Sequence, residues 1–451
     1  MYQANKAKIF LLFVGDVAAL YASLFLMLAL RYGGRFPAFV SLHLAPMSLI
    51  FLVWLLIFYI AGLYDMRRLR TTYDLLQAFG PGLFTGAALS IAFFYLIPLF
   101  GITPKTNLAL FIVLFAAIEF AWRAAANRIA ATMGTPTAVA FVSESPTTHE
   151  LTEFLNNNRQ LGYRVIPAFS NDSLSSLKDL PQWKRLITSQ RIDLLVVPSH
   201  FKKDSHFAKV FFGLLQAGVT IQDLPHFYET VFQKVPLTEI NEEWFLEHVT
   251  RRPPWFEGIK HLIEFSVALA LGVALLPFVA LIAALIKLTS EGPVIYRQTR
   301  VGERGREFTL YKFRTMVALA PDGSAETNGA VWSGTHDDRT TPIGRALRAS
   351  HLDELPQLWN IILGELSFVG PRPERPEIIR RLTPQVPYYE IRYLIRPGVT
   401  GWAQINHRKD ATIDDVIQKL QYDIYYLKNR SPILDVAIFL KTIKLLFVSP
   451  R

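Results

Sequence analysis

The sequence has no cysteine among its 451 residues. A disulfide framework, a zinc site with thiolate ligands and a thiol nucleophile are therefore excluded. Charged residues are also scarce: they make up 19% of the chain, against about 25% in a soluble globular protein. Because hydrophobic residues reach 51%, intrinsic disorder is excluded, and we expect a protein with both membrane and aqueous parts. The net charge of +10 suits anionic lipid, nucleotide phosphates or nucleic acid without choosing among them.

Four long apolar runs fall within the first 122 residues. They are Ile9–Leu30, Leu44–Leu63, Leu83–Phe100 and Asn107–Trp122. At about 1.5 Å per helical residue, the first two runs cross a bilayer core of about 30 Å, and the shorter two cross with local thinning. The pattern predicts a four-helix transmembrane domain over residues 1–130.

Basic residues beside these runs predict their orientation. One side carries Lys6, Lys8, Arg67, Arg68, Arg70, Arg123 and Arg128, and the other side carries Arg31, Arg35 and Lys105. The positive-inside tendency then places both ends of the bundle in the cytoplasm. Two carboxylates, Asp16 and Glu119, fall inside the runs. An intramembrane carboxylate is a functional candidate by default, but a contact between packed helices is the favoured interpretation here.

Residues 136–250 have a different pattern. Short apolar runs at Ala138–Val142, Arg164–Phe169, Asp193–Val197 and Val219–Gln222 alternate with helix-like stretches around Thr147–Asn156 and Ser205–Gln216. Strands separated by helices predict a small Rossmann-like α/β domain with a parallel sheet. The turn after the first strand, Ser143-Glu144-Ser145, has no Gly-x-Gly, so its side chains obstruct the approach of a dinucleotide pyrophosphate. A regulatory or assembly role is therefore favoured over nucleotide binding.

A fifth apolar run, Phe265–Ile286, is long enough to cross a bilayer. Pro277 lies near its middle and cannot donate a backbone hydrogen bond, so it divides the run into two helical arms. The flanks are basic on both sides, with Arg251, Arg252 and Lys260 before the run and Lys287, Arg297, Arg300 and Arg304 after it. A helix that crosses the membrane should have more basic residues on its cytoplasmic flank than on the other flank. We therefore expect a re-entrant helix at about 262–288 that enters and leaves by the cytoplasmic face.

The polar motifs cluster in the C-terminal region. Phe308–Met316 alternates like a strand, which predicts that Lys312 and Arg314 share one face. Two cations on one face could hold a diphosphate, and a solvated strand face explains them equally well. Arg372 lies between two prolines in Gly370-Pro371-Arg372-Pro373-Glu374, a rigid mount that suits a guanidinium facing phosphate.

Adjacent carboxylates, Asp353 and Glu354, follow in the segment SHLDELPQ (350–357). Such a pair suits Mg²⁺, and a carboxylate can also attack phosphorus. Taken alone, a helix N-cap formed by Ser350 with Asp353, with Pro356 in the first turn, is the better explanation. The two interpretations are compatible, because a helix N-terminus is also an anion site.

Near the C-terminus, Asp435–Val448 is an apolar helix that carries Lys441 and Lys444. It fits a membrane surface and an ordinary core-facing helix equally well. Carboxylates, fixed cations and membrane-embedding segments in one region suit phosphoryl transfer between a soluble nucleotide compound and a lipid phosphate.

Residues 258–451 resemble the bacterial sugar transferase family, the polyprenyl-phosphate hexose-1-phosphate transferases. The matching strings are LTSEGPVIYRQTRVG (288–302), FTLYKFRTM (308–316), TPIGRALRASHLDELPQLWN (341–360), GELSFVGPRPE (364–374) and RPGVTGWAQIN (396–406). The N-terminal helices, the middle α/β domain and FYETVFQKVPL (227–237) resemble the long form of the family.

The resemblance implies a monotopic α/β catalytic domain over residues 258–451, with a re-entrant membrane helix. The implied reaction transfers a hexose 1-phosphate from a UDP-sugar to undecaprenyl phosphate and releases UMP, the first membrane step of exopolysaccharide, capsule or O-antigen synthesis. Asp353 matches the nucleophile of a ping-pong reaction with a covalent phosphosugar intermediate, and Glu354 matches its partner, with Mg²⁺ bound at both. Arg372 matches an element near the phosphates. Other basic positions around the site are matched by Lys312, Arg314, Arg345 and Arg348.

The sequence departs from the family pattern near the re-entrant helix. Lys260, His261 and Glu264 stand where the family often has two basic residues and an Asp, and Leu276 replaces a common Ser before Pro277. The alternative function is a non-catalytic membrane scaffold or nucleotide-sugar sensor, against which the intact carboxylate pair and GPRPE loop argue.

The implied location is the bacterial inner membrane, with several spans and the catalytic domain on the cytoplasmic face. The expected partners are a UDP-sugar, undecaprenyl phosphate, membrane lipids and, as a candidate homodimer, a second copy of the chain. Nucleic acid is not expected, because much of the positive charge flanks apolar segments. Glucose, galactose and N-acetylated hexoses all fit as the sugar.

Overall fold

A computed structural model describes residues 2–64, 72–96, 105–132, 136–167, 179–249, 253–318, 339–407 and 412–448. The chain forms two compact units, Met1–Asp223 and Leu224–Arg451.

Four long helices begin the first unit: α1 (Tyr2–Tyr32), α2 (Pro37–Ala61), α3 (Thr72–Leu96) and α4 (Lys105–Thr132). Each contains a segment long and apolar enough to cross a membrane, as the sequence predicts. Buried aromatic rings fill the core between the helices, and the Phe111 and Phe115 rings stack with centroids 5.7 Å apart. The predicted third run extends to Phe100, whereas α3 ends at Leu96; its last residues, and the orienting cations Arg67, Arg68 and Arg70, lie outside the described residues.

One arginine pairs with both carboxylates of the bundle. The Arg123 guanidinium forms ion pairs with Asp16 and Glu119, and Arg123 is 1% exposed. It also donates to the Leu63 carbonyl at 2.6 Å, just after α2. The interpretation of Asp16 and Glu119 as a helix-packing contact is therefore confirmed. Arg123 was expected among the cations that flank the spans, and that expectation is wrong, because its charge is neutralised inside the bundle.

The rest of the first unit is a small α/β domain. Its strands are β1 (Thr137–Phe141), β2 (Tyr163–Ile166), β3 (Leu194–Val197) and β4 (Thr220–Asp223), all parallel and ordered β2-β1-β3-β4. The connecting helices are α5 (Pro146–Asn157), α6 (Leu180–Gln190), α7 (Ser199–Lys203) and α8 (Ser205–Gln216). These bounds confirm the predicted parallel α/β arrangement. Ser145 and Thr148 form a capping box at the start of α5, so side chains already satisfy the helix N-terminus that a pyrophosphate would need.

The second unit begins with a segment that the sequence assigned to the α/β domain. Helices α9 (Leu224–Phe232) and α10 (Glu242–His248) follow directly after β4. Val235, Trp244 and neighbouring apolar residues share a core with Leu420 and Ile424 of the C-terminal region. The predicted domain of residues 136–250 therefore includes a stretch, residues 224–248, that packs within the second unit.

The fifth apolar run forms a bent helix pair. Helices α11 (Pro254–Ala274) and α12 (Leu276–Thr289) meet at 61°. Pro277 lies in the first turn of α12, where its missing N–H is not needed. Many apolar side chains on both arms are exposed, including Leu262 on α11 at 65% and Leu288 on α12 at 83%. A pair with this bend could cross a bilayer as one broken span or turn back within it.

The remaining elements surround the polar motifs. Strands β5 (Ile295–Val301) and β6 (Glu307–Phe313) form an antiparallel hairpin. Helices α13 (Pro342–Ala349) and α14 (Gln357–Ile362) follow, and then β7 (Ser367–Val369), which pairs in parallel with β8 (Gly398–Thr400). Between these two strands lie α15 (Pro376–Leu382) and the 3₁₀ segment Tyr389–Leu394, and the chain ends in α16 (Trp402–Asn406), α17 (Ile413–Asn429) and α18 (Pro432–Val448).

Helix α18 was expected either to lie on a membrane surface or to face the protein core, and it has features of both. Ile438 is fully buried against the domain core, as for a core-facing helix. Ile433, Val436 and Phe439 are exposed, at 82%, 57% and 45%. Lys441 Nζ lies 5.0 Å from the centroid of the Trp402 ring, a cation–π contact. One face of α18 therefore packs on the protein, and the other is apolar and uncovered in the second unit.

Candidate functional site

The two adjacent carboxylates lie in a short 3₁₀ turn, Leu352–Glu354, between α13 and α14. His351 precedes it with a φ of 56°, a left-handed conformation that ends α13 and turns the chain towards the site. The Ser350 hydroxyl donates back to the Ala346 carbonyl at 2.8 Å. Ser350 therefore caps the end of α13, and the expectation that it would cap a following helix together with Asp353 is wrong.

Glu354 is held by two cations. Its Oε1 accepts hydrogen bonds from Lys312 Nζ at 2.9 Å and from Arg372 Nη2 at 3.2 Å. Burial alone would raise the pKa of the Glu354 carboxyl, but Lys312 and Arg372 outweigh burial and hold that pKa well below its usual range. Glu354 is therefore an ionised, fixed carboxylate that ties strand β6 to the GPRPE loop.

Asp353 has the opposite environment. Its carboxylate makes no hydrogen bond or ion pair to any residue that the structure describes. Burial raises the pKa of Asp353, the Lys312 charge opposes that shift, and the neighbouring Glu354 charge adds to it. Environments that drive the pKa values of two adjacent carboxyls apart are typical of acid–base or nucleophilic sites. Asp353 is thus the member of the pair that is available to a substrate.

Lys312 reaches this pair from strand β6. Its side chain is 17% exposed and its ammonium contacts Glu354 Oε1. Burial lowers the pKa of Lys312, while the Glu354 charge raises it. Two glutamate-bound cations, Lys312 and Arg372, therefore meet beside Asp353. The sequence had instead paired Lys312 with Arg314.

The loop that carries Arg372 is held rigidly by its backbone. Gly370 N donates to the Thr400 carbonyl, and Gly398 N donates to the Pro371 carbonyl, both at 2.9 Å. A Cβ atom added at Gly398 would lie 2.1 Å from Gly370 N, so the two strands approach as closely as glycine allows. The loop geometry thus depends on glycines as well as on the flanking prolines.

Two further arginines bind the loop from behind, and sequence reasoning missed both roles. Arg300 Nη1 donates to the Pro373 carbonyl at 2.9 Å. Arg392 Nη2 donates to the Arg372 carbonyl at 3.1 Å and pairs with the buried Asp423 at 2.9 Å. Their positions in sequence carry no signal of this contact, because each partner is brought in by tertiary packing.

Asn360 is a third residue that sequence reasoning missed. It is fully buried, and its amide donates to the Thr309 carbonyl at 2.7 Å while its oxygen accepts from Tyr311 N at 3.2 Å. It thereby fixes α14, which follows the carboxylates, to the strand that carries Lys312. The available signal was a lone amide in the otherwise apolar stretch LWNII.

The other predicted basic residues are placed differently. Arg314 is 2% exposed and donates to the backbone carbonyls of Ser290 and Glu291, so its guanidinium holds the chain after α12 and does not join the carboxylates. Arg348 Nε donates to the Thr315 hydroxyl at 2.9 Å, and its charge acts on the Asp353 carboxyl. Arg345 is exposed on α13, with no side-chain partner among the described residues.

The site offers few side chains that could bind a metal ion. The described residues contain no group of three or more His, Cys, Asp or Glu side chains arranged to hold a metal ion. Asp353 and Glu354 are two carboxylates, and Glu354 already binds two cations. This donor set fits Mg²⁺ only in the way usual for phosphoryl-transfer sites, in which one or two carboxylates bind an ion whose shell is completed by water and substrate phosphates.

Comparison with known proteins places the chain among sugar transferases. A family model described as bacterial sugar transferase matches residues 255–449. The UDP-N-acetylgalactosamine-undecaprenyl-phosphate N-acetylgalactosaminephosphotransferase of Aeromonas hydrophila is 35% identical over 228 residues, which cover 51% of this chain and 52% of that protein. The undecaprenyl-phosphate glucose phosphotransferase of Komagataeibacter xylinus is 35% identical over 257 residues, with coverage of 56% and 43%. The chain thus spans about half the length of these two relatives.

The chain covers a larger share of a third relative. The UDP-glucose:undecaprenyl-phosphate glucose-1-phosphate transferase of Caulobacter vibrioides is 37% identical over 188 residues, which cover 41% of this chain and 68% of that protein. The domain matched by the family model, residues 255–449, contains the carboxylate pair and its two cations. The chain belongs to the bacterial sugar transferase family.

Proposed function

We propose that this protein transfers a sugar 1-phosphate from a UDP-sugar to undecaprenyl phosphate and releases UMP. The observation that carries the proposal is the unpartnered Asp353 carboxylate next to Glu354, which Lys312 and Arg372 hold. Relatives named as undecaprenyl-phosphate sugar phosphotransferases support the same reaction class.

The proposed reaction has two steps. An Asp353 carboxylate oxygen attacks the β-phosphorus of the UDP-sugar, the bond from that phosphorus to the bridging oxygen breaks, and UMP leaves. An oxygen of undecaprenyl phosphate then attacks the phosphosugar on Asp353, which releases the carboxylate and gives undecaprenyl-diphospho-sugar. A covalent intermediate suits two substrates of which one is soluble and the other is held in lipid.

The surrounding charges have defined roles in this proposal. Arg372 offers a guanidinium fork from a rigid loop, and Lys312 offers a point charge, so both can stabilise charge that develops on the transferred phosphoryl group. Arg348 and the exposed Arg345 lie on α13, directly before the carboxylates, and would attract the anionic substrates. Bound at Asp353 and Glu354, Mg²⁺ would neutralise part of the diphosphate charge.

The bent helix pair α11–α12 is proposed to be re-entrant. The 61° bend, the exposed apolar residues on both arms and the basic flanks on both sides support a pair that enters and leaves by the cytoplasmic leaflet of the bacterial inner membrane. The active site would then lie at the membrane surface, where it meets both substrates. A reporter fused after residue 290 should remain on the cytoplasmic side. Its appearance outside the cell would show a crossing span.

The reaction is tested with the purified full-length chain in lipid, undecaprenyl phosphate, Mg²⁺ and a panel of UDP-glucose, UDP-galactose, UDP-N-acetylglucosamine and UDP-N-acetylgalactosamine. We expect UMP release with at least one donor, and the preferred donor identifies the sugar. Asp353→Asn should stay folded and membrane-bound but form neither UMP nor a labelled intermediate. Asp414→Asn, an exposed carboxylate at the start of α17, is the control and should keep activity.

Two results would contradict this assignment. Robust UMP release by Asp353→Asn would exclude Asp353 as the nucleophile. Donor binding without any UMP release by the unmodified chain would instead support a nucleotide-sugar sensor. The homodimer and the regulatory or assembly role of the α/β domain stay predictions. The mass of the detergent-solubilised chain tests the homodimer.

A further inference from the structure

Lys260, on helix α11, is bonded to the strand that leads into the active-site loop. Its Nζ donates to the Val369 carbonyl and to the Tyr426 hydroxyl, both at 3.2 Å, and pairs with Asp435 at 2.9 Å. The Tyr426 hydroxyl also contacts the Val369 carbonyl, at 3.1 Å, and Asp435 Oδ1, at 2.7 Å. The Lys260 side chain is 12% exposed and that of Asp435 is 18% exposed. The last residue of β7 is therefore fixed to a helix that also carries exposed apolar residues.

Glu264 makes a second attachment one helical turn further along α11. Its Oε1 accepts hydrogen bonds from the Ser367 hydroxyl and from Phe368 N, the latter at 3.2 Å. Arg396 Nη1 lies 3.8 Å from the other Glu264 oxygen and 2.9 Å from His261 Nδ1. Because every residue of β7 is thus bonded to α11, the strand has little freedom to move relative to the helix.

The bonded strand leads directly to Arg372. Only Gly370 and Pro371 separate Val369 from Arg372, and the proline fixes one of the intervening backbone angles. A shift at Val369 is therefore passed to the Arg372 guanidinium, which donates to Glu354 at 3.2 Å. Rigid placement matters here, because a displacement of about 1 Å at a reacting centre can cost about 100-fold in rate.

The opposite surface of the same helical turns is apolar and uncovered. Ile259, Leu262 and Ile263 are 52%, 65% and 58% exposed, whereas the Lys260 and Glu264 side chains are 12% and 8% exposed. Helix α11 thus has one face suited to lipid and another bonded to β7. A buried cation that is fully hydrogen-bonded holds its partners in one geometry more strictly than apolar packing does.

We propose that Lys260 is a positioning residue: through its bond to β7, the seating of helix α11 in the membrane sets the position of Arg372 against Glu354. The kinetic part of this inference rests on the proposed function, and the structural part does not. The inference makes the active-site geometry dependent on the membrane helix, although no residue of that helix touches Asp353 or Glu354 in any bond within the described residues.

The test compares Lys260→Met with Lys287→Met in the full-length chain in lipid. Lys287 lies near the end of α12, is exposed and donates to the Gly292 carbonyl at 3.2 Å, outside β7, so it controls for the loss of a lysine from the bent helix pair. We expect both variants to remain in the membrane. Hydrogen exchange of the amides in residues 367–372 should accelerate at least about tenfold in Lys260→Met alone, because β7 loses its attachment to α11 at Val369, next to the loop.

The kinetic measurement separates positioning from general stability. In Lys260→Met we expect kcat for UMP release to fall at least about tenfold with a smaller change in the KM for the UDP-sugar, because misplaced Arg372 stabilises the transition state less. Lys260→Arg should restore much of kcat, since it keeps a cation beside Asp435. Asp435→Asn, which removes the partner charge, gives the same test if Lys260→Met fails to fold.

The possible outcomes are distinct. Unchanged exchange at residues 367–372 in Lys260→Met would overturn the inference, and so would a loss of kcat of equal size in Lys287→Met. Absence of UMP release from the unmodified chain would contradict the proposed function instead, and the exchange comparison would still decide whether Lys260 positions the loop.

Discussion

Glu354 Oε1 lies 2.9 Å from Lys312 Nζ, in an ion pair whose side chains are 13% and 17% exposed. The cation is therefore bound to Glu354, while Asp353, the proposed nucleophile, has no hydrogen bond or ion pair among the described residues. This arrangement separates the two carboxyls electrostatically: the pKa of Glu354 is held low and that of Asp353 is raised. One carboxylate can then fix the site while its neighbour reacts.

Replacing Lys312 with methionine should disable the site. Breaking one side of a buried ion pair costs about 3–5 kcal/mol of folding stability. Separately, removing a group that stabilises charge developing in the transition state costs about 100- to 1,000-fold in kcat. We therefore expect UMP release by Lys312→Met to fall at least about 100-fold in a chain that remains folded. Only Arg372 then opposes the effect of burial on Glu354, so the pKa of Glu354 should rise from its depressed position. The measurements are initial rates of UMP release and a thermal unfolding curve.

The chain contains a matched control for that variant. Lys428 pairs with Glu229 at 2.9 Å, with side chains 14% and 6% exposed, in the same unit but in a structural contact between α17 and α9. Lys428→Met should lose stability and keep kcat in the folded fraction. Equal losses of kcat in the two variants would indicate that Lys312 stabilises the fold and has no special role at the site.

The pH dependence of the first step should follow Asp353. Protonated Asp353 cannot attack phosphorus, and burial raises its folded-state pKa above the ordinary value of about 3.9. Activity should therefore be lost as the pH falls, and Mg²⁺ bound at Asp353 would move the inflection to lower pH than burial alone gives. Arg348 lowers the pKa of Asp353, so Arg348→Met should move the inflection to higher pH. The measurement is kcat/KM for the UDP-sugar against pH.

An exposed arginine provides the comparison for the pH profile. Arg381 lies at the exposed end of α15, and Arg381→Met should leave the inflection in place. The same inflection in Arg348→Met and the unmodified chain would contradict the assignment of the low-pH loss of activity to Asp353.

A methyl group at Gly398 should displace the loop that carries Arg372. Its Cβ would lie 2.1 Å from Gly370 N and 2.7 Å from the Thr400 carbonyl oxygen, so β7 and β8 must separate. Overpacking of this kind costs about 1–3 kcal/mol, and we expect Gly398→Ala to unfold several degrees lower and to lose most UMP release. Gly258→Ala on α11, where nothing lies within 4 Å, should match the unmodified chain. Normal melting of Gly398→Ala would refute the close approach.

Local sequence patterns predicted helices and strands well where residues close in sequence determine the secondary structure. The run Asp193–Val197 became strand Leu194–Val197, and the stretch Ser205–Gln216 became a helix with the same bounds. Short apolar runs between turn residues bury both faces of a parallel strand, so periodicity and length suffice. The sequence also singled out Arg372 by its flanking prolines and the carboxylate pair by the family resemblance, since a helix N-cap explained that pair better when it was taken alone.

Local sequence patterns did not predict contacts between side chains that are far apart in the chain. Alternation predicted that Arg314 would share the face of Lys312, but strand β6 ends at Phe313 and Arg314 turns to the carbonyls of Ser290 and Glu291. Arg392 binds the Arg372 carbonyl across twenty residues. A single sequence shows which residues are charged, and tertiary packing decides which charges meet.

The three-charge contact in the bundle allows a final test, since Arg123 was mistaken for a flanking cation. Arg123→Met would leave Asp16 and Glu119 buried without a cation, at a cost of about 3–5 kcal/mol. We expect the full chain in detergent to unfold at lower temperature, whereas Arg35→Met, an exposed arginine after α1, should have no effect. Adding Asp16→Asn and Glu119→Gln to Arg123→Met should restore part of the lost stability, because neutral side chains need no cation. If Arg123→Met unfolds like the unmodified chain, the bundle does not depend on this ion pair, and its stability must come from the aromatic core around Phe111 and Phe115.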